Sequence, residues 1–184
     1  PPFLMRSHGL EVGEVGVLLA VFGGGGGIIG TLLGGKLADH LGTKDARWYM
    51  WVPAIAGTLA LPLTFPYLLL DNTTVVMGLL FVVTILINTY LGPCIAMAHA
   101  LVPPAMRSLT SAILFFVLNL IGLGMGPLTA GMLSDYFGQT YGDDGLRYAM
   151  LIVGMVASVG VVMFFMAART IRADLEAARA LTHT

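Results

Sequence analysis

Apolar residues run through this chain in five long blocks, and polar residues gather in the short gaps between them. The blocks are residues 15–35, 48–70, 75–102, 109–133 and 148–168, and none contains Asp, Glu, Lys or Arg. Each is about the 20 residues that a helix needs to cross a hydrocarbon core of roughly 30 Å. Loops cannot sit in lipid, because their backbone N–H and C=O groups would have no partner there. Each block is therefore predicted to be a transmembrane helix.

Composition agrees with that pattern. Hydrophobic residues make up 57% of the 184 and charged ones only 10%, too few to clothe a soluble domain of this size. No soluble domain follows the N-terminus, so the blocks read as permanent spans and not as a signal peptide. The opening Pro1-Pro2-Phe3-Leu4-Met5 resembles the tail of a span begun upstream, and the chain is expected to be a fragment of a longer protein. Cys94, the single cysteine, lies inside the third block and reads as a packing residue.

Charge sets the orientation. With the N-terminus outside, five crossings place gaps 36–47 and 103–108 and the tail 169–184 in the cytoplasm. Those segments hold Lys36, Lys44, Arg47, Arg107, Arg169, Arg172 and Arg179, seven of the nine bases, and leave Arg6 and Arg147 outside. Glu11, Glu14, Asp71, Asp135, Asp143 and Asp144 fall outside, so a net charge of −1 conceals a separation of sign. Trp48, Tyr49 and Trp51 mark the inner headgroup level, and Tyr67, Tyr136, Tyr141 and Tyr148 the outer one. The chain is expected to be multi-pass in a bacterial inner membrane or a plasma membrane, with the C-terminus cytoplasmic. The tail is expected to form a short helix on the cytoplasmic surface.

The first block carries five consecutive glycines, Gly23 to Gly27. In water each would lower helix propensity by roughly 1 kcal/mol relative to Ala, but in lipid the segment must stay helical and be covered by a neighbour. Gly26, Gly30 and Gly34 repeat every four residues, beside a second row of Gly23, Gly27, Thr31 and Gly35. Such flat faces let another helix backbone come close. They are expected to meet a partner half outside this chain. A phosphate loop is the rival reading, yet no Gly-Lys-Ser/Thr string follows. The fourth block has Gly122, Gly124, Gly126-Pro127 and Gly131, a bend or hinge with small residues around it.

The gap from Gly35 to Arg47 resembles the loop signature of the major facilitator superfamily. Gly35, Asp39, Gly42 and Lys44 match it, while His40 and Thr43 stand where that pattern carries bases. The resemblance implies an all-α integral membrane fold and a transporter built of two six-helix halves. With a cytoplasmic C-terminus, it aligns the chain with the C-terminal six-helix half, from the end of helix 7 through helices 8 to 12. Further pieces resemble the spinster-like branch: Arg6-Ser7-His8-Gly9-Leu10, Glu14-Val15-Gly16, Leu101-Val102-Pro103-Pro104 with Arg107, Asn119-Leu120-Ile121-Gly122 with Gly126-Pro127, and Ser134-Asp135. That branch implies lipid-like amphiphiles as substrates, such as lysophospholipids and sphingoid phosphates, coupled to protons. Drugs, organic anions or sugars are the alternative substrates within the superfamily.

Candidate residues follow from depth in the membrane. Asn88 and Asn119 lie near the middle of the third and fourth blocks, and a buried amide is costly unless it finds a partner. Both are candidates for a substrate cavity, with Thr84 one turn from Asn88. Asp39, Arg47 and Arg107 could form a cytoplasmic ion pair that breaks when the inner gate opens. His99 is the only titratable group toward the inner end of its block, and no carboxylate lies within any block, so a proton-coupling carboxylate is expected in the missing half. The partners expected are membrane lipid, that N-terminal half, a small-molecule or lipid-like substrate and protons, with no nucleic acid. No metalloprotease or serine-protease string, no channel filter and no ring of charges occurs, so no catalytic residue, metal or cofactor is expected.

Overall fold

The computed structural model describes residues 12–70, 72–142 and 145–182. Among these there is no strand, and nearly every residue is helical. The α-helices are α1 (Val12–Leu18), α2 (Gly25–Gly42), α3 (Trp48–Leu69), α4 (Thr73–Asn88), α5 (Leu91–Ala100), α6 (Arg107–Val117), α7 (Gly126–Tyr141) and α8 (Gly145–Thr182). A π turn over Leu19–Gly24 joins α1 to α2, and another over Leu118–Met125 joins α6 to α7, making two continuous rods. Residues 16–42, 74–100, 104–141 and 148–180 are long and apolar enough to cross a membrane. At 22 residues, α3 is about 33 Å long.

Each interruption has a local cause. Pro93 lacks an N–H and its ring crowds the carbonyl four residues earlier, on Thr89. The third block accordingly breaks there, α4 ending at Asn88 and α5 starting at Leu91. At Pro127 the same conflict falls on the carbonyl of Leu123, inside the second π turn, where the helix is widened and relieves it. The glycine run stays helical from Gly25 onward. Asn72 opens α4 by accepting hydrogen bonds from the N–H groups of Thr74 and Val75.

Two features depart from the sequence reading. Most of the stretch expected as a loop is helical: α2 continues through Lys36 and Asp39 to Gly42, leaving only 43–47 as connection. The tail is not a separate surface helix, because α8 runs unbroken to Thr182. No Gly or Pro follows Gly160 in α8 to end it, and Ala168, Ile171 and Leu175 continue a buried stripe against Met50 and Met97. Arg6, Glu11, Asp71, Asp143 and Asp144 lie outside the described residues, as do the side chains of Glu14, Tyr67 and Arg147.

Packing centres on α3, α4 and α8. Helix α8 lies along both α3 and α7, while α4 is held between α2 and α3. One apolar cluster, Val76 and Met77 with Leu18, Leu80 and Leu151, closes one end of the bundle. The Met50, Met97, Ile171 and Leu175 cluster closes the other. Trp51 meets Phe165 edge to face at 5.3 Å, tying α3 to α8.

Candidate functional site

The glycine rows of α2 do two different jobs. Gly26 lies where a Cβ would come within 3.2 Å of Thr84, and at Gly30 and Gly34 a Cβ would collide with the carbonyl oxygens of Ile85 and Thr89. This row therefore closes on α4 within the chain, correcting the expectation that both faces wait for another half. The physical reason is the break at Pro93, which leaves the Thr89 carbonyl without its helical donor and lets it rest on the Gly34 backbone. Gly92 makes the matching approach, with Thr31 and Gly35 backbone atoms about 3.1 Å from where its Cβ would be.

The second row is closed by Gly92 at Thr31 and Gly35 and stays open toward Gly23 and Gly27. Gly23, Gly24, Gly27, Thr31 and Leu32 line a groove of about 480 Å³ together with Asn88 and Leu91. Asn88 gives one amide N–H to the Thr84 carbonyl at 2.8 Å, which leaves another N–H and the amide oxygen for a further group. Its amide sits 3.8 Å from the Cβ position of Gly27. Thr31, whose hydroxyl donates to the Gly27 carbonyl at 2.9 Å, adds little polarity of its own. The groove is thus an apolar trough with one amide in its wall.

The other two cavity candidates stand elsewhere. The Thr84 hydroxyl turns back to the Leu80 carbonyl at 2.7 Å and its methyl closes against Gly26, so it supports the groove from behind. Asn119 is exposed on the second π turn and donates to the Phe115 carbonyl at 2.7 Å. Around it, a Cβ at Gly122, Gly126 or Gly131 would meet nothing within 4 Å. No residue of the most apolar part of 104–141 is fully buried, whereas Ser134 near its end is buried.

At the end of the bundle that carries most of the bases, the charges pair differently from the sequence expectation. Asp39 accepts a hydrogen bond from the Tyr49 hydroxyl at 2.9 Å instead of pairing with Arg47 or Arg107. Gly42 makes this possible, since a side chain there would strike the Tyr49 ring. Arg107 opens α6 beside a cleft that Arg179 also lines. Lys36 and Lys44 are exposed. The acid that pairs is Asp45: its carboxylate meets Arg172 of α8 at 2.9 and 2.6 Å and accepts the Arg47 backbone N–H at 2.9 Å. That N–H and the guanidinium hold the Asp45 carboxyl below the usual carboxylate range. The two partners are 127 residues apart, so no spacing pattern in the sequence could have joined them. His99 bonds the Ser111 hydroxyl at 2.6 Å, linking α5 to α6.

The sequence profile of the Major Facilitator Superfamily matches residues 1–183. The chain belongs to the major facilitator superfamily. This facilitator chain is 33% identical over 176 residues to an "MFS-type efflux pump" of Mycolicibacterium smegmatis (strain ATCC 700084 / mc(2)155), covering 95% of the chain and 41% of that protein. Its fold is similar to a bacterial homolog of the human lysosomal transporter Spinster in an inward-facing, unoccupied conformation, with a TM-score of 0.83 at 24% identity. The inward-facing, occupied form of such a homolog gives a TM-score of 0.78 at 25% identity. Both likenesses cover 94% of this chain, against 43% and 45% of theirs. The facilitator chain thus spans less than half the length of these relatives. It is an integral membrane protein, and its family and fold are those of transporters and not of enzymes.

Proposed function

We propose that this chain is the C-terminal half of a secondary transporter that carries an amphiphilic, lipid-like organic solute by alternating access. The observation that carries the reading is the fold likeness over 94% of the chain to a Spinster homolog. In such a transporter two halves rock about a site near the bilayer midplane. The open groove of α2 and α4 supplies this half's wall of that site. An apolar trough with the single Asn88 amide suits a molecule that is mostly hydrocarbon with one hydrogen-bonding group. The bases of 36–47 and Arg169, Arg172 and Arg179 of α8 face the cytoplasm in this reading, following the positive-inside rule. Asp39, with Tyr49, belongs to the cytoplasmic gate, and coupling protons use a carboxylate of the other half, because the five apolar blocks hold none.

The test is flux in vesicles reconstituted with the full-length transporter. Saturable, accumulating movement of a fluorescent lysolipid, reduced by Asn88→Ala, supports the reading. A small hydrophilic sugar moving equally well, or conductance without saturation, defeats it. A second reading, export of a drug-like solute, draws on the efflux-pump relative; it wins if an amphipathic dye cation competes and the lysolipid does not.

A further inference from the structure

We infer that Asp45 and Arg172 form a brace that makes the 43–47 connection and the inner end of α8 move as one body, and that this ion pair is not a gate that opens during transport. Every group it joins belongs to this chain. The Asp45 carboxylate takes the Arg172 guanidinium in two contacts, 2.9 and 2.6 Å, and the same carboxylate receives the Arg47 N–H. A two-pronged carboxylate–guanidinium pair fixes direction as well as distance.

The backbone on either side is tied as well. Lys44 N–H bonds the Leu41 carbonyl and Trp48 N–H bonds the Asp45 carbonyl, so the connection is a short wound turn between α2 and α3. One carboxylate therefore joins the end of α2, the start of α3 and the last turns of α8. Directly beside it Ile171 and Leu175 are 4% and 8% exposed, packed on Met50 of α3 and Met97 of α5. Ion pair and apolar contact stand on adjacent and one-turn positions of α8, so the same stretch of helix carries both. A latch between two halves would need a partner from outside the chain, and this carboxylate has its partners already.

Arg172 is 51% exposed and Asp45 27%, so water screens the pair and its worth lies in geometry and not in raw strength. The inference rests on the transport reading only for its flux readout. In the full-length transporter on a Cys94→Ala background, Asp45→Cys and Arg172→Cys are joined by a short bis-thiosulfonate linker and flux is measured before and after reduction. Flux that is the same linked and unlinked is expected; flux abolished by the link and restored by reduction overturns the brace. Independently of flux, Asp45→Asn is expected to raise tryptic cleavage at Arg169 and Arg172 by about two- to fivefold, the scale of an exposed pair. The exchange of Asp45→Arg with Arg172→Asp is expected to return protection at Arg169, the site that every variant keeps, and cleavage at Arg169 unchanged in every variant also overturns it. An inactive wild-type transporter with intact protection in the proteolysis assay would count against the transport reading and leave the brace standing.

Discussion

Two glycine-rich rods in this molecule look alike in sequence and have opposite fates. The rod from Val12 to Gly42 lays Gly26, Gly30 and Gly34 directly on the carbonyls of α4. The rod from Arg107 to Tyr141 leaves Gly122, Gly126 and Gly131 with nothing in reach, and no residue of its most apolar part is fully buried. The lesson is that small residues in a membrane helix mark permission for close approach and do not say what approaches. In the first rod Gly26 and Gly30 meet Thr84 and Ile85 of α4, and Gly34 meets the proline-freed Thr89 carbonyl. In the second, α8 packs on α7 and comes close at Gly138, but nothing in the described chain reaches Gly122, Gly126 or Gly131.

The sharpest way to break this comparison is to fill both faces. Gly30→Leu or Gly34→Leu is expected to destabilise the bundle by about 1–3 kcal/mol or more, as overpacking does, because the new side chain meets backbone that cannot yield. Gly131→Leu is expected to change stability by less than about 0.5 kcal/mol. Thermal melting of the detergent-solubilised transporter checks both, and equal losses at Gly34 and Gly131 would erase the distinction. The Gly131→Leu variant should still lose flux if another half seats on that rod.

Next in size is the contrast between the amides. Asn88 lines a groove and Asn119 an open helix side, so Asn88→Ala is expected to lower lysolipid flux by about tenfold, the loss of one or so buried hydrogen bonds, and Asn119→Ala by clearly less. Proteoliposome initial rates at matched protein decide it; the reverse order would move the substrate wall to the second rod. Asp39→Asn is a smaller change, since the amide can still accept from Tyr49. Slower flux with normal membrane insertion is expected, and unchanged kinetics would take Asp39 out of the gate.

The smallest effect is one of pH. The Asp45 carboxyl titrates below its ordinary value, so its contribution is complete above the unfolded carboxylate range and fades only as pH falls through the lower folded value. Melting temperatures of wild type and Asp45→Asn should therefore differ by a constant amount from pH 5 to 8 and converge below about pH 4. A difference that grows between pH 7 and 8 would mean that another group governs the contact.

Sequence reading reached the membrane, the helices and the family because those depend on sums and periods: hydrocarbon thickness fixes block length, and a four-residue repeat of glycine fixes a face. Asn88 was legible as a costly amide at mid-depth. What could not be read were choices among equivalents. Which glycines close depends on how α4 and α5 lie on α2: Gly26 and Gly30 meet Thr84 and Ile85, Gly34 the Thr89 carbonyl that Pro93 frees, and Gly35 meets Gly92. Which acid pairs with which arginine is also spatial: Asp39 near the end of α2 and Asp45 in the connection after it stand six residues apart, yet only Asp45 meets Arg172. The end of α8 was read as a separate tail because its charges resemble a surface helix, and only packing of Ile171 and Leu175 on Met50 and Met97 reveals it as part of the bundle. Local chemistry names the groups that need partners; the crossing of helices far apart in the chain assigns those partners, because contact energy depends on distances that no local pattern contains.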